Sequence, residues 1–254
     1  MSGRLTIVGL GPGDDRYLTP EACAALGAAN ALYGYGPYLD RVPLREGQTR
    51  HASDNRVEGE RAREALRAAA AGANVAMVSG GDPGVFAMAA AVCGEIEAGP
   101  EAWRALDLVV VPGITAMLAV AARAGAPLGH DFCAISLSDN LKPWDLIERR
   151  LDAAAAAGFV IALYNPISKA RPWQLGHAFM RLASRLPART LVVFGRAVGR
   201  PDEAVTVTTL DKAGEVAADM STLVIVGSPE TRMIPRDGKQ PLVYTPRVAA
   251  KVTA

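Results

Sequence analysis

Leu5-Thr6-Ile7-Val8-Gly9-Leu10-Gly11-Pro12-Gly13-Asp14 is an apolar, β-branched run that stops at a glycine-rich bend. Thr19-Pro20 follows, a capping hydroxyl with a proline at the first helical position. A run that is apolar at nearly every position, rather than at alternate ones, suits a strand covered on both faces. Such a strand leading into a helix is the repeating unit of a parallel sheet. The pattern recurs outward along the chain. Apolar runs at 5–10, 31–33, 74–79, 108–112, 132–137, 159–164, 191–194, 205–210, 223–226 and 242–244 read as strands. Helical stretches are expected at 19–30, 57–71, 143–157 and 172–186. In the third, Trp144, Ile147, Leu151 and Ala154 share a face; in the fourth, Leu175, Phe179, Leu182 and Leu186 do. The fold class is therefore α/β. Residues 123–130, with Gly125, Pro127 and Gly129, are the expected linker between α/β domains at 1–125 and 126–254, the second with a more mixed sheet.

Composition narrows the function. The 254 residues are 50% hydrophobic and 21% charged, enough for a sizeable core and too apolar for a disordered chain. Lys+Arg 27 against Asp+Glu 26 leaves a net charge of +1, so no global field favours nucleic acid or a membrane surface. Only Lys142, Lys169, Lys212, Lys239 and Lys251 are lysines; the other basic residues are arginines, which suit planar carboxylate recognition. Cys23, Cys93 and Cys133 lie far apart, without disulfide or C-x-x-C logic, and read as buried small hydrophobes. The N-terminus runs straight into a strand without the blocks of a signal peptide, and no apolar stretch is long enough to span a bilayer. A cytoplasmic, globular protein is expected.

In open α/β sheets ligands sit at the carboxyl ends of strands. Four loops there stand out: Gly9-Leu10-Gly11-Pro12-Gly13-Asp14, Ser79-Gly80-Gly81-Asp82-Pro83-Gly84, Val111-Pro112-Gly113-Ile114-Thr115-Ala116 and Leu163-Tyr164-Asn165-Pro166. The first is close to a dinucleotide fingerprint, but Asp14 stands where the third glycine belongs, and Tyr33-Gly34-Tyr35-Gly36 offers no acid for a ribose hydroxyl. Both features count against a nicotinamide oxidoreductase. The three histidines have no metal-ligand spacing, and no metal site is expected. His177 reads as exposed, His130 as structural, and His51 as a candidate carboxylate partner.

Taken in order, GxGPGD, SGGDP, VPGIT and YNP resemble the motifs of the tetrapyrrole methylase family. That resemblance runs from Leu5 to about Thr231. It implies two α/β domains that hold S-adenosylmethionine in a cleft between them, S-adenosylhomocysteine as product, carbon methylation of a porphyrin-like macrocycle, and a homodimer. By motif position it implies that Pro12, Gly80, Gly81, Asp82, Val85, Thr115 and Ala116 line the cofactor and that Tyr164 and Asn165 meet it from the second domain. His130-Asp131-Phe132, Ser136-Leu137-Ser138-Asp139-Asn140, Pro143-Trp144 and 165–171 (NPISKAR) are similar to the branch acting on precorrin-3B at carbon 17 with ring contraction to precorrin-4. Ile167 and Ala170 stand where that branch carries a basic residue and a glycine. A cobalt-containing precorrin-3 is the neighbouring substrate. A binding protein without catalysis is the third reading.

Methyl transfer from a sulfonium to carbon is an in-line displacement, for which positioning is the main demand. Ring contraction adds the loss of a hydroxyl proton, which asks for a base or polarising group. Ser138, Asp139 and Asn140 are the candidates, and Asp139 or Asn140 equally suits capping of the helix beginning near Pro143. A polycarboxylate substrate calls for arginines. Arg41, Arg45, Arg50, Arg56, Arg61, Arg63 and Arg67 crowd one segment with Glu46, Asp54, Glu58, Glu60 and Glu64, much of it expected as an exposed helix with Glu60–Arg63 and Glu64–Arg67 pairs. Arg50, Arg56, Lys169 and Arg171 are the candidate substrate contacts.

Overall fold

Strand β1 (Arg4–Gly9) opens the first part of the chain. The computed structural model describes residues 3–54 and 57–248. It divides into a unit ending at Thr115 and a unit beginning at Ala116. After β1 come α1 (Pro20–Ala28), β2 (Ala31–Tyr35), α2 (Gly36–Leu39), β3 (Thr49–Ser53), α3 (Glu58–Ala70), β4 (Asn74–Ser79), α4 (Met88–Ala98) and β5 (Asp107–Val111). The strands form a five-stranded sheet in the order β3-β2-β4-β1-β5, parallel throughout. Thr19 Oγ accepts from Ala22 N at 3.0 Å and starts α1, as its sequence predicts.

Both faces of this sheet are covered. Leu5, Ile7, Val75 and Met77 pack with α3 and α4, while Val8, Leu32, Ala76 and Val78 pack with Ala22 and Leu26 of α1. The chain thus leaves β1 toward one face and its neighbour β4 toward the other. That divergence makes the carboxyl ends of β1 and β4 the topological switch point, where α/β sheets take ligands.

Two parts of this unit escaped the sequence. Thr49-Arg50-His51-Ala52-Ser53 has no apolar pattern, yet it pairs as edge strand β3 on β2. The glycine-aspartate loop therefore follows the fourth strand, not the third. On α3, Arg63 pairs with Glu95 of α4 at 2.9 Å instead of with Glu60. Arg61 is buried at 3% exposure, its Nε donating to Ser53 Oγ at 2.7 Å and its Nη2 to the Asp54 carbonyl at 2.5 Å. Burial pushes its pKa down, with Glu58 and Asp54 opposing.

The second unit holds α5 (Ala116–Ala124), β6 (Gly125–Ala126), β7 (Phe132–Ser136), α6 (Trp144–Ala156), β8 (Val160–Tyr164), α7 (Gln174–Ala183), β9 (Leu191–Arg196), β10 (Ala204–Thr209), β11 (Thr222–Val226), β12 (Arg232–Ile234) and β13 (Leu242–Tyr244). Its main sheet runs β10-β9-β11-β8-β7, with only β7 and β8 parallel, the mixed sheet expected from the closely spaced late strands. One face packs on Ile147, Leu151, Leu175, Phe179 and Leu182 of α6 and α7. The other takes α5, where Gly195 leaves room for Val120: a β-carbon there would stand 2.2 Å from Val120 Cγ2.

That packing puts α5 in the second unit, so the division precedes the 125/126 expected. Nor are residues 123–130 a free linker, because β6 pairs in parallel with β13 in a three-stranded sheet. Cys23 and Cys93 are exposed rather than buried: the core-facing sides of α1 and α4 run through Ala22 and Leu26, and through Met88, Ala89 and Val92.

Asp152 of α6 accepts from Arg181 of α7, from Nε at 2.9 Å and Nη2 at 2.6 Å. The Arg181 hydrogen bond, against a burial penalty and helped by Arg185, holds this carboxyl below its ordinary 3.8. A depressed carboxylate stabilises the fold above its ordinary pKa and loses that contribution as pH falls through the lowered value. Asp152→Asn should therefore lower the thermal midpoint at pH 7, with the difference closing below about pH 4 in a series of calorimetric melts.

Candidate active site

Three loops of the first unit meet at the switch point through bare backbone. Gly11 and Gly81, at φ +64° and +68°, form an antiparallel bridge in which each N–H donates to the other's carbonyl, at 3.1 and 3.0 Å. Gly113 completes the junction: a β-carbon on it would lie 2.2 Å from the Gly81 carbonyl oxygen. Any larger residue there would force the loops apart.

Asp82 ties the same loops by charge. Its Oδ2 accepts from Gly113 N at 3.0 Å and its Oδ1 from Gly84 N at 2.8 Å. Hydrogen bonds to a charged acceptor are worth roughly 1.5–3 kcal/mol each, so one side chain organises two loops. Arg41 does the converse for the first loop. Its Nη2 lies 2.7 Å from the Leu10 and Gly13 carbonyls and 3.1 Å from that of Gly11, holding the bend by its acceptors. Gly80 is a packing glycine; a β-carbon there would strike the Tyr38 ring at 2.6 Å. Pro12 and Val85 are half-buried on these loops, and Thr115 is buried.

In the second unit the relevant residues gather at the carboxyl ends of β7 and β8. Tyr164 Oη accepts from Met117 N at 3.1 Å, satisfying a first-turn N–H of α5 beside Ala116. Asn165, at φ +50°, donates through Nδ2 to Ser136 Oγ at 3.0 Å, and Ser138 N donates to the same oxygen at 3.3 Å. A non-glycine residue at positive φ is strain that clusters at functional sites.

Asp139 does not cap α6. Pro143 precedes that helix with no side-chain cap, and the Asp139 carboxylate turns to Gln174, whose Nε2 lies 3.2 Å from Oδ1 and 3.1 Å from Oδ2. Gln174 is 1% exposed, and its Oε1 is buried without a hydrogen-bond partner among the described residues. Leaving such a group unpaired costs about 1–3 kcal/mol.

Of the other candidates, Ser138 is half-buried and Asn140 exposed on the same loop. Lys169 is exposed in a turn closed by Ser168 and Arg171, and Arg171 Nη1 donates to the Asn165 carbonyl at 3.1 Å. Arg50 is turned onto its own unit, Nη2 donating to the Val42 carbonyl, which is a bracing role. Arg56 lies outside the described residues. His51 stacks on Tyr33 at 4.3 Å and lies 3.1 Å from Thr49 Oγ1 rather than against a carboxylate. His177 is exposed beside Trp173, at 4.7 Å between ring centroids. Among the described residues no cluster of three or more His, Cys, Asp and Glu could hold a metal ion. Sequence reasoning passed over Arg41, Tyr38, Ser136 and Gln174. Arg41 carried a signal as one arginine in a crowded run, and Ser136 as the first residue of the stretch 136–140.

The chain is similar to known proteins along most of its length. A family model described as Tetrapyrrole (Corrin/Porphyrin) Methylases matches residues 4–214. A Sinorhizobium protein named precorrin-3B C(17)-methyltransferase is 65% identical over 250 residues, 98% of each chain. A Salmonella typhimurium protein named probable cobalt-factor III C(17)-methyltransferase is 41% identical, over 96% of this chain and 98% of that one. Among solved structures, that of the methyltransferase CobJ matches with a TM-score of 0.91 at 51% identity, covering 96% of this chain and all of that one (100%). A uroporphyrin-III C-methyl transferase from Thermus thermophilus, complexed with S-adenyl homocysteine, shares the fold at a TM-score of 0.68 and 23% identity, over 89% of this chain and 97% of that one. With the family model matched over residues 4–214 and a near full-length relative at 65% identity, the chain belongs to the tetrapyrrole (corrin/porphyrin) methylases.

Proposed function

We propose that this methylase moves the methyl group of S-adenosylmethionine to carbon 17 of precorrin-3B, with ring contraction to precorrin-4. The observation that carries the reading is the 65% identity, over 98% of both chains, to a precorrin-3B C(17)-methyltransferase. The place of the glycine loops supports the donor: the loops carrying Gly11 and Gly81 follow β1 and β4 at the topological switch point, where α/β sheets take ligands. When bound, S-adenosylmethionine supplies a methyl on a positively charged sulfur.

The chain's own part is positioning. Pro12, Gly80, Gly81, Asp82, Val85 and Thr115 are the proposed donor-binding residues of the first unit, and Ala116, Tyr164 and Asn165 those of the second. Asp82 acts by fixing the loops; Gly80 acts through the ring of Tyr38 it accommodates. Asp139 is the proposed base, with Ser138 and Asn140 as polar neighbours. Its carboxylate takes the proton of a macrocycle hydroxyl, and the O–H pair becomes the second bond of a carbonyl. The pair of the migrating carbon–carbon bond moves to the adjacent ring carbon, which releases its lactone oxygen as a carboxylate. Lys169 and Arg171 meet peripheral carboxylates, while Arg50 contributes only through the backbone it braces. A homodimer in the cytoplasm completes the reading; none of the described helices is long and apolar enough to cross a membrane.

The Salmonella relative favours a cobalt-containing macrocycle as second substrate. Labelled methyl from S-adenosylmethionine, offered with precorrin-3B and with cobalt-factor III in parallel, decides between them. Incorporation into the metal-free ring is expected, and incorporation into neither overturns the assignment. Asp82→Ala removes two backbone hydrogen bonds and should weaken S-adenosylhomocysteine binding by about 1–3 kcal/mol in calorimetry, with a lower melting temperature. Lys169→Ala and Arg171→Ala should raise KM for the macrocycle several-fold while donor affinity stays as it was, on the order of a rim charge pair each.

A further inference from the structure

Gln174 is the first residue of α7, and its backbone is fixed by Leu175, Ala178 and Phe179 in the core. Its amide is almost fully buried, and it spends its one hydrogen-bonding nitrogen on both oxygens of Asp139 while its carbonyl goes without a donor. An apolar side chain of the same length would avoid that unpaired carbonyl. The amide is therefore kept for what it holds rather than for stability. What it holds is the orientation of one carboxylate on a loop. Ser136 pins the base of that loop by accepting from Ser138 N, and Gln174 pins the carboxylate itself. With one nitrogen facing both oxygens, the tip of the Asp139 side chain is tethered in place, and lone pairs remain on each oxygen for an incoming hydroxyl.

We infer that Gln174 is a positioning residue for ring contraction, acting through Asp139 and touching neither substrate nor donor. This rests on the reading of Asp139 as the base. The test is a double-mutant cycle on the full chain with precorrin-3B and S-adenosylmethionine, reading kcat for the ring-contracted chromophore, KM, S-adenosylhomocysteine affinity and melting temperature. Gln174→Met should lower kcat about ten-fold or more, with KM and affinity unchanged and a melting temperature no lower than the parent's. In an Asp139→Asn background the same substitution should cost nothing further. Should Gln174→Met fail to fold, Gln174→Leu removes the same donor with a shorter apolar side chain and should show the same loss of kcat. Equal losses in both backgrounds, or full kcat in a folded Gln174 variant while Asp139→Asn is slow, overturn the positioning role alone. Full kcat in Asp139→Asn overturns the base assignment and the positioning role with it.

Discussion

A β-carbon on Gly113 would stand 2.2 Å from the carbonyl oxygen of Gly81, and one on Gly9 would stand 2.6 Å from the nitrogen of Gly113. The loops after β1, β4 and β5 thus touch main chain to main chain, and this contact shapes the switch point. Backbone in such contact needs its polar groups satisfied. Gly11 and Gly81 satisfy each other, Asp82 accepts from Gly113 and Gly84, and Arg41 donates to the carbonyls of Leu10, Gly11 and Gly13. One acid and one base thus do for the loops what a strand ladder does for β1 and β4.

The second unit solves a similar problem with side chains. Its sheet is mostly antiparallel, and β7 and β8 are the parallel pair whose carboxyl ends carry Ser136 and Tyr164. There Ser136 gathers Asn165 and Ser138 onto one hydroxyl, Tyr164 caps α5, and Gln174 reaches Asp139 from the start of α7. The arrangement carries visible costs: a positive φ at Asn165 and an unpaired amide carbonyl at Gln174. Costs of this kind persist where a site, rather than a core, sets the requirement.

The family pattern and the α/β class are legible from residues 5–14 onward because continuous apolar strands and glycine bends are local features. The core faces of α6 and α7 are read equally well, since helical periodicity is local too. Strand β3 is not legible: its residues are polar, and only pairing with β2 makes them a strand. Gly125 reads as a linker glycine, whereas it is the close approach of β13 that requires it: a β-carbon there would lie 2.7 Å from the Val243 carbonyl oxygen.

By itself, then, the sequence determined the class of fold, the glycine-rich bends after its strands and the family. Those follow from which side chains are absent and from their order along the chain. Tertiary structure alone decided what Asp139 faces, that Arg50 and Arg61 turn inward, and that Arg41 and Gln174 brace the loops. The partners in those contacts stand up to 35 residues apart, as Gln174 and Asp139 do, so no local periodicity can announce them. Each long polar side chain has many rotamers, and only the packed fold selects one.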